Sequence, residues 1–195
     1  MDSILTILSR KRWPLVAAVA LLVAPFMAAT SYANEVPIKI NYTGTLVPIP
    51  VNLSGGPTGA TMLDAQSHGS FGASMSHIVT EWVWDPGSSC EGDYADYDYY
   101  ILLHGSVVLT FSNNDQLFGA GASWTGDLLG WMCLNPDNGH FVGVAEGGFT
   151  GGTGRFEGAS GTFTSPFSGY NLTAFVFGYG SGPIQGTIEG TVELP

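Results

Sequence analysis

Four histidines are the first residues to consider for chemistry, because imidazole can bind metals and can transfer protons. They are His68, His77, His104 and His140, and none has another histidine or a cysteine two or four positions away, as a zinc site would favour. The chain also lacks the Gly-x-Ser-x-Gly turn of many serine hydrolases. We therefore predict no metal site and place the histidines in turns and at strand ends. A Ser-His-Asp hydrolase stays open on residue types alone.

A cluster of acidic side chains occupies residues 91–98, which contain Glu91, Asp93, Asp96 and Asp98. Carboxylate oxygens are suitable calcium ligands. The segment nevertheless lacks the Asp-x-Asp-x-Asp-Gly spacing and the distal glutamate of a calcium loop. We interpret it as a solvated acidic loop beside Cys90 and leave calcium binding open.

Aromatic side chains are the best candidates for binding a small molecule. Trp82 and Trp84 lie two positions apart, so they share one face of a strand, and Glu81 lies on the other face, towards water, as does Glu189. If the inward rings form a pocket for a small apolar ligand rather than a packed core, the residues predicted to line it are Trp82, Trp84, Tyr99, Trp124 and Phe175.

Glycines at inward positions leave the same two alternatives open. Gly143, Gly147, Gly186 and Gly190 have the parity that we assign to the interior. Their missing side chains leave room either for a ligand or for the ring of a neighbouring residue.

The two cysteines, Cys90 and Cys133, are predicted to form a disulfide, because an even pair in an exported chain is most simply paired. Two free buried thiols are the alternative. No cofactor is indicated by any motif.

Alternation of apolar and polar residues points to strands as the elements that position these side chains. Residues 184–194 alternate strictly and residues 36–45 nearly so, and all 28 glycines follow position 33. We predict one all-β domain over residues 34–195, a closed antiparallel barrel of about eight strands, with a β-sandwich as the alternative. Residues 52–74 are weakly patterned and are expected to form a long loop.

A glycine-rich segment, GGTGRFEGASG at residues 151–161, is expected to make a tight connection followed by a strand. Its glycines permit positive φ angles and strand curvature. Phe156 is expected to begin the strand, and Arg155 is expected to pair with Glu157 on the outer face. The residues assigned to this barrel motif are Gly151, Gly152, Gly154, Phe156, Gly158 and Gly161.

This segment resembles one found in the allene oxide cyclase and dirigent-protein families and in their bacterial secreted relatives. The resemblance covers about residues 140–195. It implies an eight-stranded antiparallel barrel with a cavity. It also implies an alternative function, a cofactor-free cyclase or isomerase that orients a flexible substrate. The catalytic residues of the plant families lie mostly in earlier strands, so none is assigned here and they remain unknown.

The N-terminus has the three parts of a secretory signal peptide. Arg10, Lys11 and Arg12 precede an apolar run, and Ser31 and Ala33 occupy the small-residue positions of a cleavage site before Asn34. Removing residues 1–33 leaves two basic and fifteen acidic residues, a net charge of −13. Such a chain repels nucleic acid and anionic membranes.

We therefore expect a secreted or periplasmic acidic barrel that binds a small apolar molecule or serves as a surface module. No nucleic-acid partner and no membrane contact after cleavage are expected. The sequence does not indicate an oligomeric state.

Overall fold

The computed structural model describes residues 34–49, 58–122, 129–172 and 181–195, which form nine strands and two single-turn 3₁₀ helices. The strands are β1 (Asn34–Ile49), β2 (Thr58–Gly69), β3 (Gly72–Trp84), β4 (Asp98–Phe111), β5 (Gln116–Ala122), β6 (Gly130–Leu134), β7 (Phe141–Gly152), β8 (Ser160–Gly169) and β9 (Gly182–Leu194).

The first and last strands pair with each other, and their alternation places one face of each in the core. Ile40 lies opposite Ile188 and Val36 lies opposite Val192. Ile40, Ile188 and Val192 are at most 1% exposed. The alternation that predicted these strands therefore follows from a sheet with one buried and one hydrated face.

The sheet closes on itself through antiparallel pairs. β1 pairs with β2 and β9, β3 pairs with β4, and β7 and β8 complete the circuit to β9. β5 and β6 both pair with β4 and β7 and run in the same direction, so together they fill one position of the wall. The ring thus has eight positions, and the predicted closed antiparallel barrel is confirmed.

A β-bulge in β4 changes which residues face inward. Glu81 pairs with His104 and Trp82 pairs with Leu102, so Leu103 has no partner across β3. The buried positions of β4 are even-numbered before this bulge, at Tyr100 and Leu102, and odd-numbered after it, from Val107 to Phe111. As a result Tyr100, only 4% exposed, takes an interior position.

Residues 52–74 are not one long loop, as the sequence suggested. From Thr58 onwards this stretch forms β2, a tight turn and the start of β3. The inward positions of the hairpin include Ala65, Ser67 and Ser76, which are buried but small or hydroxyl-bearing. The strand pattern was hidden because these inward residues are not large apolar ones.

The interior of β7, β8 and β9 is built from aromatic rings lying over glycines. A Cβ atom added at Gly143 would come 2.5 Å from Phe167 Cζ, and one added at Gly147 would come 2.6 Å from Phe163 Cζ. At Gly186 an added Cβ would overlap the Tyr42 hydroxyl. Three of the four inward glycines therefore accommodate neighbouring rings. At Gly190 the space is filled by the Thr162 backbone.

The glycine-rich motif closes one end of the barrel. Gly154–Phe156 is a 3₁₀ turn and the next strand begins only at Ser160, so the expectation that Phe156 begins a strand is wrong. Phe156 is fully buried and packs against Phe71 and Phe111. We call this the plugged end, where β2 turns into β3 and β7 into β8.

Arg155 lies over the plug rather than beside Glu157. Its guanidinium carbon is 4.8–5.2 Å from the ring centroids of Phe71, Phe111 and Phe156. Its Nε is 3.5 Å from a carboxylate oxygen of Asp115. The predicted pair with Glu157 is therefore replaced by cation–π contacts and an ion pair across the turns.

Candidate functional site

The barrel interior contains a cavity of about 70 Å³ between β3, β4, β5 and β7. Trp82, which is 3% exposed, and Leu102 line it from one side. Gly105, Gly119 and Gly121 line it without side chains. At Gly105 an added Cβ would find only ordinary contacts, 3.7 Å to Thr80 and 3.9 Å to Leu102, so unfilled space lies directly beside it.

The polar groups around this cavity bond to one another. The Tyr42 hydroxyl lies 3.1 Å from Ser165 Oγ, and Thr61 Oγ1 lies 2.6 Å from Thr80 Oγ1. Trp82 donates its indole N–H to Thr80 Oγ1 at 2.9 Å. Because these groups satisfy each other's hydrogen bonds, they help to hold the wall together and do not need a ligand as a hydrogen-bond partner.

Two interior tyrosines have strongly raised pKa values. Burial raises the pKa of Tyr42 to about 12, and the hydrogen bond with Ser165 only partly opposes this. Burial, together with the charge of Asp98, raises the pKa of Tyr100 to about 12. Both phenols therefore stay protonated at neutral pH.

Of the residues predicted to line a ligand pocket, those that the structure describes do not come together in one place. Trp82 lines the cavity, but Trp84 is 50% exposed at the end of β3. Tyr99 lies on the outer face of β4, because the bulge at Leu103 reverses the alternation extrapolated from Phe111 and turns Tyr100 inward instead. Trp124 and Phe175 lie outside the described residues.

Sequence reasoning missed Tyr42 and Gly105 as cavity residues. Tyr42 had a usable signal, because it continues the alternation of Ile38 and Ile40. Gly105 had no signal in the sequence, because the empty space beside it depends on which neighbouring strands carry short side chains.

Glu81 is an outward-facing residue of β3 that is nevertheless fully buried, so the expectation that it faces water is wrong. Its Oε2 lies 3.9 Å from Nε2 of His104 on β4. Glu189, by contrast, is about half exposed and forms an ion pair with Lys39 at 2.5 Å.

The predicted disulfide is confirmed: Cys90 and Cys133 are bonded, with Cα atoms 6.0 Å apart. Cys133 lies on the outer face of β6, because its neighbour Met132 faces inward opposite Tyr100. The bond fastens residues 85–97 to the barrel at the end opposite the plug. We call this the disulfide end.

Four rings form a surface cluster at the disulfide end, which we call the aromatic patch. Its members are Tyr94, Tyr97, His140 and Tyr170. Tyr94 and His140 are stacked with centroids 6.2 Å apart, and His140 lies 4.8 Å from Tyr170. The Tyr97 hydroxyl is 2.9 Å from His140 Nδ1. Tyr170 is 59% exposed.

The charges around the patch are acidic. Glu91, Asp93 and Asp96 are exposed in the loop that carries Tyr94 and Tyr97, and Asp137 is exposed in the turn before His140. Within the described ranges, no three or more His, Cys, Asp or Glu side chains are arranged to hold a metal ion. Likewise, none of the helices formed by residues with a described structure is long and apolar enough to cross a membrane.

Comparisons with known proteins give a structural likeness and no match in sequence. No family model matches the sequence, and no curated protein matches it. The solved structure of the pterocarpan synthase dirigent protein GePTS1 aligns with 80% of this chain and 86% of its own, with a TM-score of 0.34 and 11% identity.

Proposed function

We propose that this chain is an exported, non-catalytic binding module, in which the barrel is a rigid scaffold and a partner binds at the disulfide end. The observation that carries the proposal is the packing of the interior. The cavity beside Trp82 and Gly105 measures about 70 Å³, whereas pockets for cofactors or drug-sized ligands usually measure ~300–1,000 Å³.

The contrast between the two ends supports this assignment. Phe71, Phe111 and Phe156 fill the plugged end and Arg155 covers them. The disulfide end instead presents exposed rings and carboxylates on a loop held by a disulfide. Exposed aromatic residues on a rigid frame are typical of binding surfaces.

Export is part of the proposal. A disulfide is compatible with an extracellular or periplasmic location, because such bonds persist in oxidising compartments. We expect the secreted protein to begin at Asn34, which N-terminal sequencing of exported material would establish. Material that keeps Met1 would indicate a retained anchor.

A small apolar ligand inside the barrel is the second candidate, because the cavity beside Trp82 and Gly105 is lined almost entirely by apolar atoms. A cyclase or isomerase of the allene oxide cyclase type is the enzymatic form of this candidate, since its substrate would have to enter the same space.

One titration separates the two candidates. The apolar fluorescent probe 1-anilinonaphthalene-8-sulfonate is added to the native protein and to Gly105→Ala, which reduces the cavity. For a surface module we expect no saturable enhancement in either protein. Saturable one-to-one binding that Gly105→Ala weakens would overturn the proposal and place the function in the cavity.

A further inference from the structure

We infer that the aromatic patch is a docking surface for a basic protein segment, whose arginine side chains stack on the exposed Tyr170 ring and on the half-buried rings beside it. This inference rests on the proposed function and names the partner class for the same end of the barrel. It follows from the geometry of the patch, its pre-organisation and the charge around it.

The patch is a platform of rings in contact rather than a hollow cage. Tyr94 and Tyr97 meet edge to face at 5.2 Å, Tyr97 meets His140 edge to face at 5.7 Å, and Tyr170 borders His140 at 4.8 Å. Tyr170 is the most exposed large apolar side chain among the described residues. A platform of this kind offers a face on which a planar group can stack.

The backbone beneath the patch is already ordered. Asn135 Oδ1 accepts hydrogen bonds from the amides of Asp137 and Asn138, and Asn138 Oδ1 accepts one from the amide of His140. Leu172 donates its amide proton to the Gly139 carbonyl, which ties the Tyr170 segment to this turn. Binding would therefore cost little ordering entropy.

The charge selects a cationic partner. Asp93 and Asp96 directly precede Tyr94 and Tyr97 in the chain and are exposed. After position 33 the basic residues are Lys39 and Arg155. Lys39 pairs with Glu189 on the wall and Arg155 covers the plug, so neither balances the carboxylates of the disulfide end. Aromatic faces with unbalanced carboxylates nearby complement a positive surface.

Arginine fits this surface better than lysine. A guanidinium is planar and weakly hydrated, so it can stack on a ring while its N–H groups bond to a carboxylate. The same protein contains an example, because Arg155 lies over three phenylalanine rings while its Nε lies 3.5 Å from Asp115. An ammonium group would keep more of its hydration.

The test uses fluorescently labelled octa-arginine and octa-lysine, with binding followed by anisotropy at physiological salt. We expect octa-arginine to bind more tightly than octa-lysine. Tyr170→Ala should raise the octa-arginine Kd about three- to fivefold, the effect of losing one exposed cation–π contact. Asp93→Asn with Asp96→Asn should weaken both peptides and reduce the salt dependence.

Two controls make the result specific to the patch. Met75→Ala removes a side chain of similar exposure, 53%, on the barrel wall and should leave both Kd values unchanged. Glu35→Gln with Glu157→Gln removes two exposed charges towards the plugged end and should weaken binding less than the Asp93 and Asp96 pair does.

Equal effects of the two charge pairs, or an unchanged Kd in Tyr170→Ala, would overturn the inference, because binding would then reflect net charge alone. The proposed function would be unaffected by that result, since it is overturned by probe uptake in the cavity.

Discussion

Replacing Gly105 with alanine tests the packing of the barrel interior most directly. Its backbone has no positive φ, so an L-residue is accommodated without strain. The added methyl group would meet Thr80 at 3.7 Å and Leu102 at 3.9 Å, both ordinary contact distances. The change therefore adds apolar contact inside the cavity and displaces nothing.

The expected gain has two parts. Burying one methyl group contributes about 0.8 kcal/mol, and replacing glycine with alanine in a compatible backbone contributes about 0.4–1 kcal/mol by restricting the unfolded chain. Together they predict an increase of about 1–2 kcal/mol in the free energy of unfolding. For a domain of this size that corresponds to a rise in Tm of roughly 2–8 °C.

The matched control is Gly190→Ala, which adds the same methyl group to another inward position. There the Cβ would overlap the Thr162 carbonyl oxygen, so β8 and β9 must separate. We expect a loss of about 1–3 kcal/mol. Urea denaturation and thermal melts of both variants give the comparison. A destabilised Gly105→Ala, or two variants with equal Tm values, would refute the account of the cavity.

Three further predictions concern stability. Between pH 10 and 12 the free energy of unfolding should fall as pH rises, because Tyr42 and Tyr100 ionise near pH 10 when unfolded but only near 12 when folded. The loss is at most about 2–3 kcal/mol per tyrosine. The urea midpoint of Tyr42→Phe should therefore depend less on pH than that of the native protein. Reducing the bond between Cys90 and Cys133, 43 positions apart, should cost about 4 kcal/mol in the loop-entropy model, whereas an unchanged guanidinium midpoint under reductant would contradict this. Phe156→Ala should lower the free energy of unfolding by about 3–5 kcal/mol, because a fully buried ring of the plug is lost. A Tm within 2 °C of that of the native protein, roughly the shift expected from 1 kcal/mol, would show that the plug contributes little to stability.

The fold was predictable wherever the wall of the barrel alternates cleanly. β1 and β9 place large apolar residues at most of their inward positions, so their period of two is visible in the sequence. β2 and the first part of β3 were missed because Ser67, Ser74 and Ser76 are inward. A buried serine looks like a surface residue when only hydropathy is considered.

The candidate sites were less predictable, because they depend on register and on contacts between distant segments. A single unpaired residue, Leu103, exchanges Tyr99 for Tyr100 at the inward position, and no local pattern marks it. The aromatic patch brings together residues from three separate loops. Two of its members, Tyr94 and Tyr170, are 76 positions apart in the sequence. Glu81 is buried although its parity is outward, because burial on the outer face depends on what covers the wall.

The glycine content has a different explanation from the one that composition first suggests. Inward glycines could have meant an interior emptied for a ligand, but Gly143, Gly147 and Gly186 lie beneath the rings of Phe167, Phe163 and Tyr42. Each ring fills the space that a side chain on the next strand would have occupied, so the glycines and the aromatic residues form one packing scheme. Beside these rings, the cavity next to Trp82 and Gly105 keeps only about 70 Å³ for a substrate, so we look to the loops for a binding surface. This is why the disulfide end, and not the interior, carries the proposed function.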